Sequence, residues 1–396
     1  MIDLGPGHIE RVEQLGSMNL LDSRRRASAV LTGFIVEVTF SFVAYDAKEG
    51  EPKMSSPEMT HEPAPSQNIL QMLTGKWITQ GVSVAATLGI ADLLKDGPKD
   101  VEELAKATST HADSLYRLLR ALSSIGIFAE TEDRRFTLTP LAQCLRSDAR
   151  DSMRNAARMF GLPMFWRSWG ELLQAVKTGE TGLKRAFGVT DPFQYFSENP
   201  EDAQVFDGAM TDLTRERGPA IAEAYDFGRF SKIVDAGGGH GMLLMTILRR
   251  YPKPSGVLFD LPQVVKGAQA AIAAAGLSDR CETVAGDIFE SVPSGADAYM
   301  MKSIIHGFNQ QRALVILGNI RRAIQPQGRL LLVEFVVPPG NTPSLGKLSD
   351  LQMLVMAGGR ERTREEFQDL LGAASFRLGG IYPTAAQLSI VEGIPA

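Results

Sequence analysis

The chain has 396 residues, of which 44% are hydrophobic and 22% charged, with a formal net charge of -5 at pH 7. That length calls for two domains and a tail, and the apolar share suffices for a sizeable buried core. The acidic balance argues against general nucleic-acid binding, which favours a basic surface. The two cysteines, Cys144 and Cys281, form neither a metal spacing nor a disulfide framework, which fits a reducing cytoplasm.

In chain order, residues 24–44, RRRASAVLTGFIVEVTFSFVA, imitate a signal or an anchor. Glu37 interrupts an apolar run already short for a membrane span, and no small-x-small cleavage site follows, so no membrane segment is expected. The next stretch, EGEPKMSSPEMTHEPAPSQ, cannot bury enough apolar surface to order itself, and residues 1–65 are expected to form a disordered tail. Met54 and Met59 stand shortly before the first strong helix. The expectation is a native start at one of them, with the upstream segment an extended reading frame.

Residues 67–95 carry apolar side chains at helical spacing over most of their surface, which points to burial, a subunit interface being one place for it. Asp100 can cap a helix containing Leu104 and Ala105, and a second amphipathic helix spans 113–124. The strand-like pieces IFAET and FTLT then flank the charged turn EDRR. Helix, turn, helix and hairpin together suggest a winged helix. Its second helix offers only Arg117 and Arg120 as cations, a poor footing for DNA phosphates, so a structural or dimerising module is the better reading.

Residues 151–227 read as helical and are rich in Met, Phe and Trp. Most of these side chains should pack between helices. Met159, Phe160, Trp166 and Met210 are the candidates for lining a pocket that takes a flat organic acceptor. From residue 231 onward, SKIVDAG, GVLFDLP, CETVAGDIF, DAYMMKS and GRLLLVEFVV alternate with helical stretches. That alternation calls for an open, mostly parallel sheet covered on both faces, with a ligand beyond the carboxyl ends of its strands.

The loop VDAGGGHG, residues 234–241, follows the first of these strands. It lacks the Gly-Lys-Ser/Thr of a P-loop, and Met242 breaks the spacing of the dinucleotide fingerprint. What remains is Asp235 followed by Gly237, Gly239 and Gly241. An acid here suits a ligand with a positive amino-acid group, and glycines let the backbone approach it. Asp260 closes the second strand, where a carboxylate can bind both hydroxyls of a ribose, and Asp287 closes the third, within reach of an adenine edge. Three acids at successive strand ends behind a glycine loop imply S-adenosylmethionine (SAM).

VDAGGGHG, FDLP, GD, MKSIIHGF and GGRERTREEF, in this order, resemble the small-molecule O-methyltransferases of the plant caffeate and bacterial hydroxyindole or polyketide type. The likeness covers roughly residues 68–396. It implies an α/β fold, a Rossmann-like SAM-methyltransferase sheet at 166–396 that includes a helical pocket segment. A helical winged-helix dimerisation domain at 66–165 precedes it, and the protein would be a homodimer. It also implies that the glycine loop, Asp260, Asp287 and Lys302 bind SAM.

His306 follows the fourth strand, beside the expected cofactor. A phenol of pKa about 10 is mostly protonated near neutrality, and a histidine titrating near that pH can take its proton as the oxygen attacks. The resemblance makes His306 the base and places Glu334 and Glu361 beside it. A rival reading gives Glu361 to the N-terminus of the following helix. The family usually carries His-Asp-Trp where this chain has His306-Gly307-Phe308, so an acid beside the base is missing. No metal cluster is expected. Two other readings stand beside methyl transfer to a small aromatic hydroxyl. One is a SAM-binding relative that decarboxylates or hydroxylates, for which His306→Ala would leave turnover intact. The other is a winged-helix regulator, whose DNA affinity would fall with salt.

Overall fold

A computed structural model of the chain describes residues 64–396. The tail, its candidate start sites and the apolar run at 24–44 lie outside the described residues, save the last two tail positions. Among the described residues no helix is long and apolar enough to cross a membrane.

The first element is α1 (Pro65–Leu88), ended by Gly89 in the left-handed conformation. Its N-terminal half is bare in the single chain, with Ile69, Leu70, Met72, Leu73 and Trp77 all exposed, while Ala85 and Ala86 enter the core. β1 (Lys99–Asp100) leads into α2 (Val101–Thr108). Asp100 caps α2 as its sequence suggests, accepting from the Glu103 N–H at 2.8 Å while Glu103 reaches back to the Asp100 N–H. α3 (Ala112–Ser123) follows, then β2 (Phe128–Glu130) and β3 (Arg135–Leu138), which pair around the charged turn. The three short strands form one antiparallel sheet in the order β1-β3-β2, the wing of the expected module.

Next come α4 (Arg154–Gly161), α5 (Pro163–Gly170) and the long α6 (Pro200–Glu223). Buried Asp212 of α6 ties α4 down: its Oδ2 accepts the Asn155 and Ala156 N–H groups at 2.8 and 3.3 Å, and its Oδ1 accepts from Arg215 at 3.1 Å. These are first-turn amides with no partner inside their own helix.

The second sheet holds seven strands. β4 (Lys232–Ala236), α7 (Met242–Arg250), β5 (Ser255–Asp260), α8 (Pro262–Ala274) and β6 (Cys281–Ala285) wind in one direction. The chain then crosses to β7 (Ala298–Lys302), α9 (Gln310–Ala323) and β8 (Arg329–Glu334). α10 (Leu345–Met356), α11 (Arg364–Ala373), β9 (Phe376–Pro383) and β10 (Ser389–Pro395) complete it. The order is β6-β5-β4-β7-β8-β10-β9, parallel except that β10 runs antiparallel to both neighbours. The five strands β4 to β8 are those expected from the sequence; the closing pair β9 and β10 is an addition. Alternate strand residues face opposite sides: Ile233, Leu258 and Met300 pack under α7 and α8, whereas Val234, Val257 and Tyr299 pack with α9 and α11. Burial on both faces is why these strands read as unbroken apolar runs.

Asp212→Ala should cost about 2 kcal/mol in denaturant unfolding, because two buried amides and an arginine lose their acceptor together. An unchanged midpoint would show that α4 does not depend on this cap.

Candidate active site

The direction of winding reverses between β4 and β7, so a crevice opens at the carboxyl ends of the two strands. The glycine loop fills its floor. Gly237, Gly239 and Gly241 take φ of +75, +59 and +76°, which side-chain-bearing residues rarely adopt. A Cβ on Gly238 would strike Leu258 and the Asp235 carboxyl, while beside Gly239 the space is open. Gly241 is the N-cap of α7.

Of the strand-end residues expected from the sequence, Asp260 and Asp235 adjoin this loop, and Asp287 and Lys302 stand at the ends of β6 and β7. Asp260 binds the loop directly, taking the Gly239 N–H on Oδ2 at 2.8 Å and the Leu261 N–H on Oδ1 at 2.7 Å. A carboxylate has about four acceptor positions, so two remain for hydroxyl groups. Burial raises the Asp260 pKa, against the pull of those two amides. Asp235 is 1% exposed, and its Oδ2 has no hydrogen-bond partner. Burial, then the charge of Asp260, pushes it up to about 7. An orphaned buried carboxylate beside glycine backbone fits a cationic amino-acid group. Asp287 lies two residues past β6 and accepts the Phe289 N–H at 2.8 Å. Lys302 ends β7; burial, then the charge of Arg217, brings it down to about 8 against the pull of Glu334 and Asp235.

Past Lys302, Ser303 takes φ +54° and turns the chain into a single 3-10 turn, Ile305–Gly307. His306 sits on it with Nδ1 2.7 Å from Glu361 Oε1 and 3.7 Å from Glu334 Oε2. A carboxylate only accepts, so Nδ1 carries the hydrogen and Nε2 keeps a free lone pair. Glu334, at the end of β8, also holds the turn itself, its Oε1 accepting the Ile304 and Ile305 N–H groups at 3.0 and 2.9 Å. Burial pulls the imidazole pKa down. The charge of Glu334, the bond to Glu361 and that residue's charge outweigh it, and the net shift is upward. Glu334 is itself raised by burial.

Glu361 is 4% exposed and is no helix-terminal charge. Thr363 caps α11, and Glu366 completes its capping box. Glu361 instead receives the Ser349 hydroxyl at 2.7 Å, and its own N–H donates to Asp350. The donor atoms of His306, Glu334 and Glu361 lie within 4.8 Å of one another, a grouping close enough to hold a cation, where none was expected. Both Oε1 atoms are already committed to N–H and O–H donors, while Oε2 of Glu334 and of Glu361 is buried without a hydrogen-bond partner.

Two residues that the sequence did not single out lock this arrangement. Arg362, 1% exposed, donates to the Ile305, Phe308 and Arg360 carbonyls and so clamps both ends of the His306 turn. Gly359 lies so close that a Cβ there would fall 2.0 Å from the His306 carbonyl oxygen. The quoted GGRERT carried both, but burial of a guanidinium leaves no mark in a sequence.

The pocket candidates divide. Met159 is buried, and Met210 packs against the same cluster, with Phe165, Phe196, Val355 and Met356 among its members. Phe160 and Trp166 are 47% and 39% exposed in the single chain. Pro163 starts a new helix between them, which gives the inward positions to Met164 and Phe165.

Residues 169–377 match the model of the O-methyltransferase domain, and residues 70–148 match the O-methyltransferase dimerisation domain. A phenazine O-methyltransferase of Lysobacter antibioticus is 47% identical over 83% of this chain and 96% of its own. The crystal structure of LaPhzM superposes with TM-score 0.81 at 46% identity, over 84% of this chain and 99% of that one. Human N-acetylserotonin methyltransferase, solved with SAM, gives 0.78 at 25% identity, over 85% and 99%. The chain belongs to this family of SAM-dependent O-methyltransferases. Its winged module is the dimerisation domain rather than a DNA reader.

Gly359→Ala should lower kcat about a hundredfold, because it displaces the His306 turn by about 1 Å. Calorimetric binding of S-adenosylhomocysteine (SAH) should stay unchanged, since the glycine loop is untouched. Normal turnover would mean that the turn yields without loss.

Proposed function

We propose that the chain methylates a hydroxyl of a small, flat aromatic acceptor, with His306 Nε2 as general base. The observation that carries this reading is the 2.7 Å contact of Nδ1 with Glu361, which leaves Nε2 as the free acceptor. When bound, SAM supplies a methyl group on a sulfonium, which the acceptor oxygen takes with release of SAH. His306 removes the hydroxyl proton as the oxygen attacks. Glu361 fixes the ring, and Glu361 and Glu334 stabilise the imidazolium that forms. An amine acceptor would carry its own lone pair and need no such base, which favours oxygen over nitrogen.

Asp235 would meet the ammonium of SAM, Asp260 the ribose hydroxyls and Asp287 the adenine edge. Lys302 completes the set as the resemblance implies. Met159 and Met210 would border the acceptor. The phenazine specificity of the Lysobacter relative suggests an acceptor of fused rings. The bare apolar half of α1 lies at the start of the matched dimerisation domain and would be covered by a second copy, giving a homodimer. Two free cysteines suit a cytoplasmic setting.

His306→Ala should lower kcat about 10²- to 10⁴-fold with SAH affinity retained. Undiminished turnover would remove His306 as the base. The imidazole must be neutral to act, so kcat should rise with pH through its raised pKa and then level. Glu361→Gln should move that rise to lower pH and reduce the plateau; a profile that stays in place would separate Glu361 from the titration. Asp235 must be ionised to meet a cation. SAM affinity should therefore strengthen as pH rises through about 7. In Asp235→Asn, calorimetry should show weaker binding without this rise.

A further inference from the structure

Arg217 is a largely buried cation to which the chemistry above gives no role. It belongs to the stripe Met210, Thr214, Arg217 and Ile221 on α6, which helical spacing places on one face. Met210 packs with the cluster of α4 and α5, and Ile221 with the core under the sheet. Arg217 stands at the seam between the two. Its guanidinium carbon lies 5.9 Å from the ring centre of Phe335, the residue after β8. The side chain is 20% exposed, and its ionic neighbour among the described residues is Glu216 at 3.6 Å, a carboxylate 61% exposed to solvent.

Burial draws the Arg217 pKa down, with Glu216 resisting, and its charge in turn depresses Lys302. Phe335 follows the end of β8, where Val333 pairs with Lys302 of β7, so the helix cation stands near the strand-end one. Two such cations repel, and an anion between them would relieve both. The guanidinium fork matches a carboxylate in bidentate geometry. Asp235, on the strand paired with that of Lys302, has an unpartnered carboxylate oxygen. An acid opposed to two cations is the complement of an α-amino acid, whose ammonium and carboxylate are borne on one carbon.

We propose that Arg217 receives the carboxylate of the methionine end of SAM. An acceptor bearing a carboxyl group would present the same chemistry, and the experiment separates the two sources. The full chain is titrated calorimetrically with SAH and with decarboxylated SAH, which keeps the ammonium and lacks only the carboxylate. Arg217→Met should weaken SAH about 10- to 100-fold and leave the decarboxylated analogue unchanged. Arg217→Lys keeps the charge without the fork and should weaken SAH several-fold, again selectively. Equal loss for both ligands, or no loss for either, overturns the proposal. So does a variant that binds SAH normally but shows a raised KM only for carboxylated acceptors, which would place the carboxylate on the acceptor. Should Arg217→Met fail to fold, as a thermal melt would reveal, the lysine variant decides: unchanged SAH affinity overturns the proposal.

Discussion

The hydrogen bond between His306 and Glu361 joins the turn after β7 to the loop between α10 and α11. Its geometry depends on backbone docking rather than on the two side chains alone. The His306 carbonyl accepts the Arg360 N–H at 2.9 Å, Arg362 takes the carbonyls on either side, and Gly359 removes the Cβ that would hold the strands of chain apart. A buried guanidinium is expensive to desolvate and tolerable only when its donors are used. Here three carbonyls use them, and the result is a histidine held from outside its own turn.

The same strand ends carry an uneven field. Asp235, Asp260 and Glu334 are all pushed upward by burial, and Lys302 and Arg217 downward. Burial disfavours the charged form of each group. Such a crevice is costly to the fold and suits a ligand that is itself highly charged, as SAM is with its sulfonium, ammonium and carboxylate. A ligand that binds there stabilises the fold by mass action.

Much of this was legible in the sequence because of where charge stands relative to apolar runs. Asp235, Asp260 and Lys302 each fall at the end of a strand that reads as continuous hydrophobe, and a parallel sheet sends those ends to one edge. Asp100 was legible as a helix cap from its position; that Glu103 completes a capping box with it is seen only in the fold. Glu361 had two readings in the sequence, and only the fold separates them: Thr363 does the capping, so Glu361 is free to turn inward. Which of Met159, Phe160, Trp166 and Met210 face inward was not legible, because composition cannot tell the faces of two short helices that meet at Pro163. β9 and β10 carry interior glycines, Gly379, Gly380 and Gly393, and owe their strand form to pairing with each other and with β8, which is tertiary context. Arg362, Gly359 and Arg217 act through proximity to residues far away in the chain, and nothing local records that.

The glycine at 307, where relatives usually carry an acid, becomes intelligible in this light. A Cβ there would touch nothing within 4 Å, so no neighbour forces the glycine and none has lost a partner to it. Orientation of the imidazole comes from Glu361, the turn is fixed by Glu334 at its start and Arg362 across it, and an acid at 307 would add a further charge to a cluster that already holds two. Phe308 meets Phe289 edge-on at 5.1 Å, and Arg312 covers both rings. That stack ties the histidine turn to the loop of Asp287, which makes the positions of the proposed base and of the proposed adenine contact mutually dependent. An acid at 307 is therefore dispensable for positioning, and what its absence alters is the local charge, in the direction of a less basic histidine than a third carboxylate would give.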